Sequence, residues 1–160
     1  EILNEILAEC EKKNDSNPIT FFEITTCAAF LAFSREAADY TIIEVGLGGE
    51  FDATNVVKNP VVSIITPISF DHMEYLGESI DQIAMAKAGI IKKNTPTVIA
   101  KQSSDVKKIL EARCDLVGSK PIWSFESFTI SNAKNSIIQK KDNKINKKIF
   151  FKISVKNNCN

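Results

Sequence analysis

Glu44, the lone histidine His72, and Lys87 are the side chains of this sequence whose types and positions could do chemistry together. Glu44 sits in a short apolar run, Ile42-Ile43-Glu44-Val45, and Gly46, Gly48 and Gly49 follow at once. Such a run reads as a buried strand that stops at a sharply turned loop. In an open parallel sheet, ligands gather beyond the carboxyl ends of the strands. His72 also falls just beyond an apolar, β-branched run, at 61–66. A carboxylate and a neutral imidazole make a workable pair for a divalent ion, and Mg²⁺ in phosphate chemistry takes one or two protein ligands, the rest being water and phosphate oxygens. Lysine as an ammonium is a poor metal ligand; its ordinary work here would be to pair with phosphate or with Glu44. Turn formation alone would also account for the glycines, and a structural hydrogen bond for the histidine.

The elements that must hold these residues can be read in order. Ile2, Leu3, Ile6, Leu7 and Cys10 recur at helical spacing over 1–13, and Asn14-Asp15-Ser16-Asn17-Pro18 stops that helix. Thr20 with Glu23 three positions on has the spacing of a capping box, opening a mostly apolar and therefore buried helix to about residue 38. Glu23 is either that cap or a group near the site. Strands are expected at 40–45, 61–66 (of the fully buried kind), 97–100 and from 121. Helices are expected from a Ser79 cap through Ile80, Ile83, Ala84 and Lys87 to Gly89, and over 104–116. This alternation argues for βαβ units in a parallel sheet. After Phe125 short strands around a turn at Lys141-Asp142-Asn143-Lys144 suggest an antiparallel ribbon. The expected organisation is α/β: residues 1–125 as a parallel sheet flanked by helices, and 126–160 as a ribbon of the same domain or a frayed tail.

Composition narrows the classes of function. With 44% hydrophobic and 25% charged residues, the 160-residue chain can build one soluble core. Net charge is zero, but from Ser127 onward there are eight lysines and one acid, Asp142. Those lysines are interleaved with Asn, Ile and Ser and lack arginine, which reads as a solvated hairpin and not as a nucleic-acid or membrane patch. Cys10, Cys27, Cys114 and Cys159 have no metal-site or disulfide spacing, and Cys27 reads as a small core hydrophobe. No apolar run approaches a membrane span and no signal peptide opens the chain, so a cytoplasmic protein is expected. The first residue, Glu1, lies inside a helical pattern, and a piece of a longer polypeptide is the expectation.

The local words are more specific than composition. Glu44-Val45-Gly46-Leu47-Gly48-Gly49, Asp52-Ala53-Thr54-Asn55, Asp71-His72 with Glu74-Tyr75-Leu76-Gly77, Ile83-Ala84, and Lys87-Ala88-Gly89-Ile90-Ile91-Lys92 stand in this order. Together with Phe21-Phe22-Glu23-Ile24-Thr25-Thr26 they closely resemble folylpolyglutamate synthase/dihydrofolate synthase of the Mur ligase family, over about residues 18–100. The resemblance implies the central domain of that fold, a P-loop-type architecture here without its first strand and loop. It also implies an ATP-dependent ligase: a folate or dihydropteroate carboxyl is phosphorylated, and the amino group of glutamate displaces the phosphate to form an amide. Glu44 and His72 would hold Mg²⁺, Lys87 would be a carbamylated catalytic lysine, and Gly46, Gly48, Gly49 and Asn55 would lie at the nucleotide. Carbamylation turns a poor metal ligand into an anionic oxygen donor.

Two positions depart from the family: Glu50 stands where an arginine is usual, and Ala86 where a glutamate precedes the lysine. The sequence also holds no G-x-x-x-x-G-K-[ST] phosphate loop and no counterpart of the glutamate-binding C-terminal domain. A fragment inactive by itself is expected, with folate or dihydropteroate, glutamate, ATP and the missing parts of the enzyme as partners, and neither nucleic acid nor membrane. A non-catalytic remnant or binding module, half of a split enzyme, and another Mur-family amino acid ligase are the other readings; the Asp52-Ala53-Thr54-Asn55 word favours the folate branch.

Overall fold

The computed structural model describes residues 1–124, with the backbone of 128–129 and 139–140. It opens with two helices, α1 (Ile2–Asn14) and α2 (Phe21–Arg35), packed on each other. Asp15, in the left-handed region at φ 51°, ends α1. Asn14 and Asn17 then clasp the turn by donating reciprocally to each other's carbonyl at 2.6 Å. The capping box forms as its spacing predicts: Glu23 N donates to the Thr20 hydroxyl, and Thr20 N donates to Glu23 Oε2 at 2.8 Å. Glu23 is thus a cap, its carboxyl held below its ordinary pKa by the Thr20 hydroxyl and amide.

The expectation of a buried α2 needs correction. Thr26 and Ala28 are its buried residues, whereas Phe21 is 83% exposed and Cys27 is exposed and no core residue. Apolar content states how much surface a helix could bury, but only a neighbour decides which stripe is buried.

Three parallel strands, β1 (Ser63–Ile65), β2 (Thr97–Ile99) and β3 (Pro121–Trp123), form the sheet in that order. Ser63 pairs with Thr97, and Thr97 with Pro121. Between β1 and β2 run α3 (Met73–Leu76) and α4 (Ile80–Ala88); between β2 and β3 runs α5 (Ser104–Val117). Ser79 caps α4 with Gln82 as the reciprocal partner. The apolar stripes of α4 and α5, with Ala84, Ala88, Val106 and Leu110 buried, close over Ile65, Ile99 and Trp123. A small parallel sheet flanked by helices is therefore the observed architecture.

Two strand expectations fail here. The run at 40–45 joins no ladder, and Tyr40 and Ile42 stay 80% and 87% exposed. β1 is buried on one face only, with Ile64 open. The causes differ. A strand needs a neighbour's amides and carbonyls, and the described residues offer none on that side of β1. Ile64 points to the face of the sheet opposite its buried neighbours, and a parallel strand is buried on both faces only where both are covered. Of the ribbon expected over 126–160, β4 (Phe128–Thr129) and β5 (Gln139–Lys140) pair antiparallel; the rest lies outside the described residues.

A polar tie crosses the bottom of the sheet. Ser119 Oγ donates to the Thr95 carbonyl at 2.6 Å, so its single hydrogen is used and the Thr97 hydroxyl donates to it at 2.8 Å. Thr95, Thr97 and Ser119 are all buried. Ser119→Ala should leave a carbonyl and a hydroxyl unsatisfied there and cost about 1–3 kcal/mol, read as a lowered denaturant midpoint; an unchanged midpoint would show that the tie carries no stability.

Candidate functional site

The glycine loop after residue 45 is bound to the last turn of α4. Glu50 N donates to the Ala86 carbonyl at 2.9 Å, and the Asn55 amide donates to the carbonyls of Glu50 and Gly89 at 3.0 and 3.4 Å. Lys92 Nζ closes the group by donating to the Asn55 carbonyl at 3.4 Å. Burial first, and then the charge of Arg113, push the Lys92 ammonium below its ordinary pKa. The approach is close enough to demand glycine. At Gly48, φ is +67° and a Cβ would fall 2.8 Å from the Leu76 side chain; at Gly49 one would fall 2.8 Å from the Ala86 carbonyl and 3.2 Å from Lys87 Cα. Gly46 lies under the Phe22 ring.

Asp52 fixes the loop from inside. Its carboxylate accepts from Leu47 N at 2.8 Å, from Thr54 N at 2.9 Å and from the Thr54 hydroxyl. Burial pushes its pKa up, but the hydrogen bonds from the Thr54 hydroxyl, Leu47, the Thr54 amide and Gly46 outweigh it and hold the carboxyl below its ordinary value.

These contacts bring Gly48, Gly49, Asn55 and Lys87 to one place. Lys87 is half-buried in the last turn of α4. His72 lies one turn before Leu76, as the residue that opens α3, at φ 51°. Tyr75 N and Leu76 N both donate to its carbonyl at 3.0 Å, and its Nε2 lies 3.5 Å from Asp71 Oδ2 with both side chains exposed. Glu44 is exposed and makes no hydrogen bond or ion pair among the described residues. No group of three His, Cys, Asp or Glu side chains gathers there. One carboxylate and one imidazole, both open, suit an ion that arrives with phosphate oxygens and water, as Mg²⁺ does.

A cavity of about 350 Å³ opens beside the loop, between the start of α2, α3 and α4. Phe22, Leu47, Tyr75 and Leu76 give it apolar walls; Thr20, Glu23 and Asp52 bring polar groups. Glu50 and Ala86, the two positions that depart from the family pattern, line this same cavity.

Three residues of the site carry no role in the sequence reading. Asp52 had a readable signal, since Asp-x-Thr is the spacing of a side chain that caps its own turn. Lys92 had none beyond its place in a word. Gln102 is the third: it takes Ile68 N on its Oε1 and donates to the Thr66 carbonyl, both at 2.9 Å, and so pins the segment that leads to His72. Its partners are 34 and 36 positions away, beyond the reach of any local pattern.

The family model described as the Mur ligase middle domain matches residues 3–158. The dihydrofolate synthase/folylpolyglutamate synthase of Haemophilus influenzae is 34% identical over 148 residues, which cover 91% of this chain and 33% of that protein. Among solved structures, Mycobacterium tuberculosis folylpolyglutamate synthase complexed with ADP and AMPPCP superposes with a TM-score of 0.73 at 32% identity, covering 87% of this chain and 35% of that one. A folylpolyglutamate synthase complex with AMPPCP and folate gives a TM-score of 0.74 at 33% identity, covering 86% and 34%. The chain thus spans about a third of the length of these three proteins.

Proposed function

The chain belongs to the Mur ligase middle-domain family, matched over residues 3–158, and from that premise we propose that it supplies the metal and lysine side of an ATP-dependent ligase that adds glutamate to folate or dihydropteroate. The observation that carries this reading is the docking of the glycine loop on the last turn of α4, which holds Gly49 against the backbone of Ala86 and Lys87, Gly48 beside Ala86, and the Asn55 amide on the Gly89 carbonyl. In this reading the site belongs to one unit over 1–125, with 126–160 as its ribbon, and the protein works in the cytoplasm on small molecules.

Glu44 and His72 would hold Mg²⁺ beside the phosphates of ATP, and Gly46, Gly48, Gly49 and Asn55 would lie at the nucleotide. When bound, the ion supplies positive charge where the transferring phosphoryl group concentrates negative charge. Lys87, as the carbamate formed from its neutral amine and carbon dioxide with loss of a proton, would offer an anionic oxygen donor for that ion. The substrate carboxylate attacks the γ-phosphate and ADP leaves; the amine of glutamate then attacks the acyl phosphate, losing a proton and expelling phosphate as the amide forms. The apolar walls of Phe22, Leu47 and Tyr75 suit a flat heteroaromatic ring, so the 350 Å³ cavity takes that end of the folate.

The test is ligation. The 160-residue chain alone, given ATP, Mg²⁺, glutamate and dihydropteroate or folate, should form no glutamyl product. Mixed with a chain that carries a phosphate loop and a glutamate-binding domain, it should do so, and Lys87→Ala should reduce that restored rate at least about a hundredfold. Turnover by the chain alone would overturn the dependence on other parts. Failure of every mixture would favour the second reading, a remnant that no longer catalyses, for which the specific support is that Glu50 and Ala86 meet on one cavity wall.

A further inference from the structure

A second cavity, also of about 350 Å³, lies between α4 and α5 and shares only Glu50 with the first. Its size is at the lower end of small-molecule sites. Met85, Ile109 and Leu116 form apolar walls, and the small residues Ala88, Gly89 and Ala112 leave space among them. Arg113 is the one cation in the lining, and its Nε is buried without a hydrogen-bond partner. Burying a donor unpaired costs about 1–3 kcal/mol, so this arginine gains from any acceptor it can reach. No ion pair holds it among the described residues, so a ligand that turned the guanidinium would have no such bond to break. Lys92, outside the lining, feels the guanidinium, after burial, as a force that lowers its pKa. One guanidinium thus lines an apolar cavity, with one carboxylate, Glu50, exposed in the same lining.

We propose that the cavity between α4 and α5 is a binding site for a small monocarboxylate with an apolar or aromatic body, its carboxylate on Arg113 and its body between Met85, Ile109 and Leu116. A carboxylate matches the planar fork of a guanidinium, which presents parallel N–H donors at the spacing of its two oxygens. Free phosphate fits less well, because it would leave three apolar walls unused and bring a second negative charge toward Glu50. A neutral apolar molecule would leave the arginine as it is.

The test uses the full chain labelled with ¹⁵N, and 4-phenylbutyrate as the probe, with its neutral amide for comparison. The expected result is a saturable shift of the Arg113 Nε–Hε resonance with a Kd of about 1 mM or tighter, and at least about tenfold weaker binding of the amide. Arg113→Gln should weaken the carboxylate at least about tenfold, followed through the amides of α4 and α5. Leu116→Asp alters a wall that is 77% exposed, so the fold survives it, and it should weaken the same probe by a similar factor. Equal binding of acid and amide, binding that neither variant weakens, or no saturable shift would each overturn the assignment.

Discussion

Replacing Gly89 by alanine should destabilise the protein by about 3 kcal/mol or more and free the glycine loop from α4. Gly89 closes α4 at φ −60° and ψ −18°, ordinary right-handed values that alanine adopts without strain. Backbone preference therefore favours alanine there, by about 0.4–1 kcal/mol, and works against the effect. What alanine lacks is room, since its Cβ would stand 2.3 Å from Glu50 Cβ and 2.5 Å from Glu50 Cα. Glu50 cannot retreat cheaply, because its amide is bonded to the Ala86 carbonyl and its carbonyl takes the Asn55 side chain. Relief would break those bonds and the one from Asn55 to Gly89 itself. A loss of this size is a large part of the total stability of a small domain. Gly118→Ala is the control. There φ is +69°, but a Cβ would meet only Asn94 Oδ1 at 3.4 Å, so the cost is the left-handed backbone alone, about 1–2 kcal/mol. Denaturant unfolding of the two variants should rank Gly89→Ala well below Gly118→Ala; the reverse order would mean that the loop does not sit on α4 as described.

The same contrast between local and distant causes explains what could be read from the sequence. Both capping boxes, Thr20 with Glu23 and Ser79 with Gln82, are spaced three residues apart, and a helix start is decided within such a window. The caps at Thr20 and Ser79 were legible for that reason, as were the strands at 97 and 121, because a regular helix separates them and parallel pairing follows from the crossover. The run at 40–45 has equally good strand composition and forms none, since composition cannot supply the neighbouring backbone. Cys27 and Phe21 misled in the same way: each sits in an apolar helix, and only its neighbours in the fold decide that Thr26 and Ala28, which do not share a face, are the buried residues. At the site, the words around Gly46, Asn55, His72 and Lys87 were visible as words, but the bonds that assemble them, Glu50 to Ala86 and Gln102 to Ile68, run over more than thirty residues. Arg113 gave no signal, because an unpaired buried nitrogen is a property of what surrounds it.

Asp52→Ala should lower stability by about 2–3 kcal/mol near neutral pH, and Asp52→Asn by roughly half as much. Besides the contribution of Gly46, the carboxylate accepts three hydrogen bonds, from the amides of Leu47 and Thr54 and from the Thr54 hydroxyl. Alanine abandons all three. Asparagine keeps one oxygen but turns the other acceptor into an NH₂ donor, which must face either the Leu47 N–H or the Thr54 pair. The pH dependence follows from the direction of the shift. The folded carboxyl titrates below its ordinary value of 3.8, so the folded state binds that proton less readily than the unfolded chain. The stabilisation is complete above the unfolded pKa and is lost as pH falls through the folded one. Denaturant unfolding at about pH 7 and again below about pH 3 should therefore show the gap between wild type and Asp52→Ala narrowing in acid. An equal gap at both pH values would sink the idea that the ionised carboxylate holds the loop. The consequence reaches function, because Leu47, Asp52 and Ala53 all line the 350 Å³ cavity. A loop released at Asp52 loses the cavity wall together with the glycine placed against Lys87, so ligand binding and ligation in the complemented enzyme should fall together, with the smaller fractional loss relative to wild type at acid pH, where the wild-type carboxylate is itself neutralised.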